Sequence, residues 1–263
     1  MESEQKPLLE ARHLRKEFGG LVAVDDVSLG IQELSLHSII GPNGAGKTTL
    51  FNMISGVLRP TRGEVIFRGR NITHLPVHRI AHQGIGRSFQ ITNIFPTLSV
   101  LENIRLSAQA LGKDNLRFFQ AADNFKQYVT RAEEIIDLVG LNGKEYALAL
   151  NLSHGEKRKL ELAIMLASDP ALLLLDEPTA GMSSEQVPAL LDIIMKIRGL
   201  GTKTIVLVEH RMDMVMSISD RITVMHLGNI LAEGTPREIS NTQSVQDAYL
   251  GALYGDITKK QEA

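Results

Sequence analysis

Cysteine and tryptophan are both absent from the 263 residues. Without cysteine there is no disulfide frame and no thiolate chemistry, so a reducing interior is permitted but not proven. An excess of one charge is missing too: 28 Lys and Arg stand against 30 Asp and Glu, a formal net charge of −2. A dedicated nucleic-acid binder normally carries a basic domain, and this balance argues against one. No apolar run approaches the roughly 18 residues that a membrane helix needs. The opening MESEQKPLLEARH has no apolar core of signal-peptide length. These absences predict a soluble protein. What remains is ordinary in amount, 43% hydrophobic and 22% charged residues. Such fractions exclude disordered, collagen-like and coiled-coil chains. The length allows one large α/β domain, or a core with a smaller lobe.

Apolar spacing then sketches the elements. Pro7–His13 predicts a short edge strand, and Leu21–Val24 and Val27–Ile31 two more, the last alternating as a half-buried strand does. Ser35–Ile40 runs directly into GPNGAGKTTL, which opens a predicted helix over Lys47–Gly56. Strand, Gly-rich turn and helix in that order form half of a parallel βαβ unit. Gly63–Gly69 predicts another strand, and these early β segments suggest a small antiparallel sheet beside the parallel one. From Ser99 to Ala167 the spacing becomes helical, including Phe118–Asp137 and EKRKLELAIMLA. Ala171–Leu175 and Thr204–Val208 are continuous apolar runs, expected of strands buried on both faces. Ser183–Arg198 predicts a helix with Ser183 and Gln186 in capping-box spacing. Met212–Ser219 predicts a further helix, and Arg221–Met225 with Asn229–Ala232 a closing hairpin around Leu227-Gly228.

Two motifs carry chemistry. Gly41-Pro42-Asn43-Gly44-Ala45-Gly46-Lys47-Thr48, followed by Thr49, fits G-x-x-x-x-G-K-[ST]. Its glycines let backbone N–H groups wrap phosphate oxygens, and the helix behind presents its positive end to them. Lys47 is expected to reach the β- and γ-phosphates, and the Thr48 hydroxyl to ligate Mg²⁺. The second motif is Leu172–Glu177, an apolar strand ending in Asp176-Glu177. A carboxylate at the carboxyl end of a buried strand sits where open α/β sheets bind ligands. Asp176 is the expected Mg²⁺ residue, and Glu177 the group that accepts a proton from, or orients, the attacking water.

Between them lies Leu152-Ser153-His154-Gly155-Glu156, opening the helix KRKLELAIMLA; Gln90 in GRSFQ precedes it, and His210 follows the last strand. Alone, a Ser-x-Gly turn at a helix start is a common cap. In this order the set resembles the ATP-binding subunits of ABC transporters over nearly the whole chain. The segments GRSFQITNIFPTLSVLENI, EHRMDMVMSISDRITVMHLGNILAEGTP and AYLGALYG are similar to the ATPases of branched-chain amino-acid importers, with urea and neutral amino-acid importers as near relatives.

The resemblance implies an α/β P-loop ATPase with a RecA-like parallel-sheet core over 1–92 and 168–240, including an N-terminal antiparallel β subdomain. A helical subdomain would span 93–167 and a tail 241–263. It implies ATP and Mg²⁺ as ligands, with Phe18 stacking on adenine, although Tyr is more usual there. Gln90 would sense Mg²⁺ and the attacking water, and His210 would hold the γ-phosphate and position Glu177. Ser153 and Gly155 would contact the γ-phosphate bound by an opposite subunit, in a homodimer or with a paralogue. The other partners implied are transmembrane permease subunits at the cytoplasmic face of the membrane and, indirectly, an external solute-binding protein. Two departures stand out. The usual Leu-Ser-Gly-Gly-Gln reads LSHGE, and Ser183 replaces the usual Asp or Asn after PTAGM. The Met212, Met214 and Met216 run reads as core packing, and Ile94, Phe95 and Leu98 as a groove for a permease helix. Alternatives sharing the motifs are a urea importer, a lipid or lipopolysaccharide exporter, and a soluble ATPase acting on DNA or the ribosome.

Overall fold

The structure is a computed structural model and describes residues 6–88, 94–110 and 126–249. In chain order its elements are β1 (Leu9–Phe18), β2 (Leu21–Ile31), β3 (Leu36–Ile40), α1 (Lys47–Ile54), β4 (Arg62–Phe67), β5 (Arg70–Asn71), α2 (Val77–His82) and β6 (Ile85–Arg87). Then come α3 (Val100–Ala110), α4 (Lys126–Val139), α5 (His154–Ala167), β7 (Leu172–Asp176), α6 (Val187–Gly199) and β8 (Thr204–Val208). After these come α7 (Met212–Ile218), β9 (Arg221–His226), β10 (Asn229–Gly234) and α8 (Pro236–Ser240), and the described chain ends in a helical stretch over 243–249.

Contacts divide these elements into two compact units, one running to Ile80 and resuming at Thr204, the other Ala81–Lys203. In the first, β2-β1-β4-β5 form an antiparallel sheet. The two early runs of β2 are one strand, because a bulge at Asp26, which has φ 52°, carries the pairing from Leu14↔Val27 to Lys16↔Val24. The same unit holds β3 parallel to β8 and β9, with β10 antiparallel to β9. All residues of β8 are buried, as its apolar run requires, and so are all those of β3, polar His37 and Ser38 included. Beside them Ile40, Val215, Ile222, Val224, Ile239 and Val245 form a core cluster. Met214 is buried, and Met212 and Met216 pack against that cluster.

In the second unit β6 and β7 pair in parallel, with Arg87 opposite Leu174, and α3, α4 and α5 pack on one another. Helix α4 buries Tyr128, Ala132, Ile135, Ile136 and Val139, the three-and-four spacing of one face. Residues 118–125 of the expected Phe118–Asp137 helix lie outside the described residues. Segment 96–101 is stitched to 145–150: Val100 N–H donates to Ala147 O at 3.0 Å, Ala149 N–H to Leu98 O at 3.0 Å and Leu150 N–H to Pro96 O at 3.0 Å.

Two expectations fail. The first strand is not a short edge strand, because β1 runs ten residues and pairs with β2 on one side and β4 on the other. Ser183 does not cap a helix: α6 begins at Val187, and its N-cap Gln186 makes no side-chain bond. The Gln186 N–H instead donates to Ser183 O at 2.9 Å in a preceding turn. Pro188 lies in the first helical turn, where its fixed φ and missing N–H favour a start. The helix therefore begins at Val187, beside the proline, rather than at the serine.

Candidate functional site

In the first unit the Gly-rich loop is built from strand and hairpin backbone. A Cβ on Gly41, whose φ is 152°, would meet Met225 O at 2.2 Å. A Cβ on Gly46, φ 96°, would meet Ala23 O at 2.5 Å. Only glycine allows the loop to lie this close to β2 and β9. Its rim is tied down as well: Gly228 N–H donates to Ala45 O at 3.1 Å, and Asp25 N–H to Gly228 O at 2.9 Å. Gly46 is the N-cap of α1, and no side chain caps the helix. Its first amides thus point from a positive helix end without a side-chain acceptor, the geometry that takes an anion.

Lys47 is 5% exposed. Its Nζ donates to Gly41 O at 2.7 Å and Pro42 O at 2.9 Å, so the ammonium is held across the loop it belongs to. Asn43, Gly44 and Thr48 are exposed beside it, and Thr49 is half-buried. His210 is exposed just past β8, and its N–H donates to the buried Glu209 carboxylate at 3.2 Å. Phe18 ends β1 with its ring 48% exposed, and Lys16 Nζ sits 5.2 Å from the ring centroid. A flat exposed ring with a cation nearby suits a π-stacked ligand. A wide groove of about 610 Å³ runs between the loop and the chain's later residues, lined among others by Pro42, Asn43, His226, Leu227 and Asp247.

The second unit holds the other candidates. Asp176 is the last residue of β7, its carboxylate fully enclosed. Its N–H donates to Ser88 Oγ at 3.0 Å, and Ser88 N–H donates to Leu174 O at 2.9 Å. Arg87 Nη2 lies 3.6 Å from Asp176 Oδ2. Glu177, next along, has φ 46°. A non-glycine residue in this region is strained by roughly 1–2 kcal/mol, and the turn bond from Ala180 N–H to Glu177 O at 2.9 Å holds it there.

Ser153 is the N-cap of α5, in a full capping box: Glu156 N–H donates to Ser153 Oγ at 3.4 Å, and Ser153 N–H to Glu156 Oε2 at 2.8 Å. Lys144 pairs with the other oxygen of Glu156. That pairing and the Ser153 N–H hold the Glu156 carboxyl down to about 2, so it is an anion at neutral pH. The acidic departure in LSHGE is therefore locally neutralised. Gly155 is buried, and a Cβ there would meet the Gln186 amide at 3.2 Å. His154, the other departure, packs over Gly181, whose Cβ would meet His154 Cε1 at 3.3 Å.

Gln90 lies outside the described residues, as do 250–255 of AYLGALYG. The loop, Phe18 and His210 belong to one unit; Asp176, Glu177, Ser153 and Gly155 to the other. Arg87 and Ser88, both against Asp176, were not singled out by sequence reasoning. Their relation to Asp176 is a register between two strands 85 or more residues apart, for which local spacing carries no signal.

Residues 24–180 match the family model described as ABC transporter. The chain is 40% identical over 253 residues to LivG, the high-affinity branched-chain amino acid transport ATP-binding protein of Salmonella typhimurium, covering 94% of this chain and 98% of that one. BraF of Pseudomonas aeruginosa, with the same description, is 39% identical over 251 residues, at 94% and 98% coverage. Among solved structures, the ADP conformation of MJ1267, an ATP-binding cassette of an ABC transporter, matches with a TM-score of 0.79 at 28% identity, covering 94% of this chain and 100% of that chain. The dimeric bacterial ABC transporter cassette MJ0796 matches with a TM-score of 0.74 at 26% identity, covering 87% and 99%.

Proposed function

Because the chain belongs to the ABC transporter family and is an ATPase of its cassette type, we propose that it powers an importer of branched-chain or other neutral amino acids. The observation that carries the substrate class is the 40% identity to LivG across 94% of the chain. The glycine-built loop and Lys47 hold the phosphates of ATP, with Asn43, Gly44 and Thr49 lining them and Phe18 stacking on adenine. Mg²⁺ takes hydroxyl and carboxylate oxygens together with waters and substrate phosphates, and Thr48 and Asp176 offer oxygens of that kind. Each side chain offers the donor chemistry that the ion takes, and the ion would supply charge neutralisation at the phosphate oxygens. Gln90 is assigned to the same ion and to the attacking water. Glu177 accepts the proton of that water, and His210 positions Glu177 and the γ-phosphate.

Ser153 and Gly155 act on the nucleotide of a second ATPase subunit, so turnover needs a head-to-tail pair. The dimeric form of MJ0796 supports that reading. Among the described residues no helix is long and apolar enough to cross a membrane; the chain sits peripherally on the cytoplasmic face, on a permease that an external binding protein supplies. The surface that supports this partner is apolar and exposed: Phe95 at 57% and Tyr146 at 83%, with Leu148 and Leu150 on the strip paired to residues 96–101. Exposed apolar patches of this kind mark interaction sites.

The Glu177→Gln chain tests the chemistry. It is expected to bind ATP, lose turnover and accumulate as an ATP-bound dimer on a sizing column; unchanged ATP hydrolysis would remove Glu177 from the role of base. Purification from membranes with identification of every subunit tests the assembly, and recovery without any permease would overturn it.

A further inference from the structure

Asp176 is a carboxylate with no solvent exposure, and a buried charge is stabilised by an opposite charge beside it. A cation facing it is Arg87, 11% exposed and 3.6 Å away. That separation is beyond a hydrogen bond, so the pair attracts as charges without a fixed directional bond. Burial of Arg87 lowers its pKa, and Asp176 opposes that shift; arginine nonetheless stays charged. The two residues come from paired parallel strands, β6 and β7. Ser88, beside Arg87, accepts the Asp176 N–H at 3.0 Å, so the strand that carries the guanidinium also sets the height of the carboxylate.

We propose that Arg87 is a resident counter-ion for Asp176 that competes with the divalent cation there. Resting on the assignment of Asp176 to the metal, this makes Arg87 a positioning residue with two opposed effects. It stabilises the enclosed carboxylate by charge attraction, and it repels the ion that the carboxylate is to receive. The cation is thereby held less tightly than Asp176 alone would hold it. A motor that releases its nucleotide every cycle gains from that arrangement, because tight metal retention slows product release.

The test uses the full chain with ADP and Mn²⁺ as the probe ion, reading bound Mn²⁺ by electron paramagnetic resonance and unfolding by thermal melts. Arg87→Met is expected to bind Mn²⁺ roughly tenfold more tightly through lost cation repulsion, and to melt lower without the ion. Mn²⁺ with ADP should return more of its melting temperature than it adds to the parent. Arg87→Lys, which keeps the charge, should bind Mn²⁺ close to the parent. Arg87→Gln, expected to tighten Mn²⁺ in the same direction, replaces Arg87→Met if the latter fails to fold. Asp176→Asn separates the two claims. If it weakens Mn²⁺ binding while neither neutral Arg87 variant tightens it, the counter-ion role is overturned alone. If Asp176→Asn leaves Mn²⁺ binding unchanged, the metal assignment falls and this proposal falls with it.

Discussion

At the scale of single residues, His37 links the fold to pH. It lies in β3 with no solvent exposure, its Nε2 2.7 Å from Thr223 Oγ1, and Nδ1 has no hydrogen-bond partner among the described residues. Burial first, and the charge of Arg221 second, hold its pKa down to about 4 from 6.5. Protons therefore bind the unfolded chain before the folded one. The stability that His37 allows is complete above pH 6.5 and is lost as the pH falls towards 4. A shift of this size is worth about 3 kcal/mol across that window, at about 1.4 kcal/mol per unit. His37→Gln keeps a partner for Thr223 and removes the titration. Its melting temperature should change less between pH 6.5 and 4 than that of the parent; parallel profiles would exclude His37 as the source of acid sensitivity. Glu177 makes a different point at this scale. Its left-handed backbone places stored strain at the residue assigned to the base, and no side-chain pattern announces a φ of 46°.

At the scale of elements, the start of α5 is the test of what the LSHGE departure does. The box at Ser153 and Glu156 satisfies two amides at that helix end, and Lys144 holds the acid from outside. Glutamine can reach back as glutamate does, so Glu156→Gln should lower stability by less than about 0.5 kcal/mol, the weight of a partly exposed ion pair. Glu156→Ala removes the box and should lower it by about 1 kcal/mol. Equal losses in urea denaturation would show that charge, not the cap, is what Glu156 contributes. This element also separates what spacing reveals from what it hides. Ser153 and Glu156 stand three apart and cap; Ser183 and Gln186 stand three apart and do not, because Pro188 begins α6 later. The buried runs of β3, β7 and β8 and the phosphate loop were readable because their signals are local and periodic. The Arg87–Asp176 pair depends on register between strands far apart in the chain, while the Lys144–Glu156 pair and the bulge at Asp26 depend on how neighbouring segments fold back on each other, which no periodicity reports.

At the scale of the whole molecule, the apolar strip of Phe95, Tyr146, Leu148 and Leu150 is where a membrane partner is assigned. Phe95→Asp places a charge in it. The variant should still bind ATP, yet separate from the permease when membranes are washed and purified; retained co-purification would move the interface elsewhere. The same strip bears on how a cell must make this protein. Four large apolar side chains facing water favour self-association until something covers them. If the permease proposed above is that cover, copies synthesised beyond its supply are expected to be the ones drawn into aggregates or degraded. The amount of ATPase should consequently follow the amount of permease, a quality control written into one exposed face. Overproduction without the partner should yield pelleted protein, and Phe95→Asp should return part of it to the supernatant.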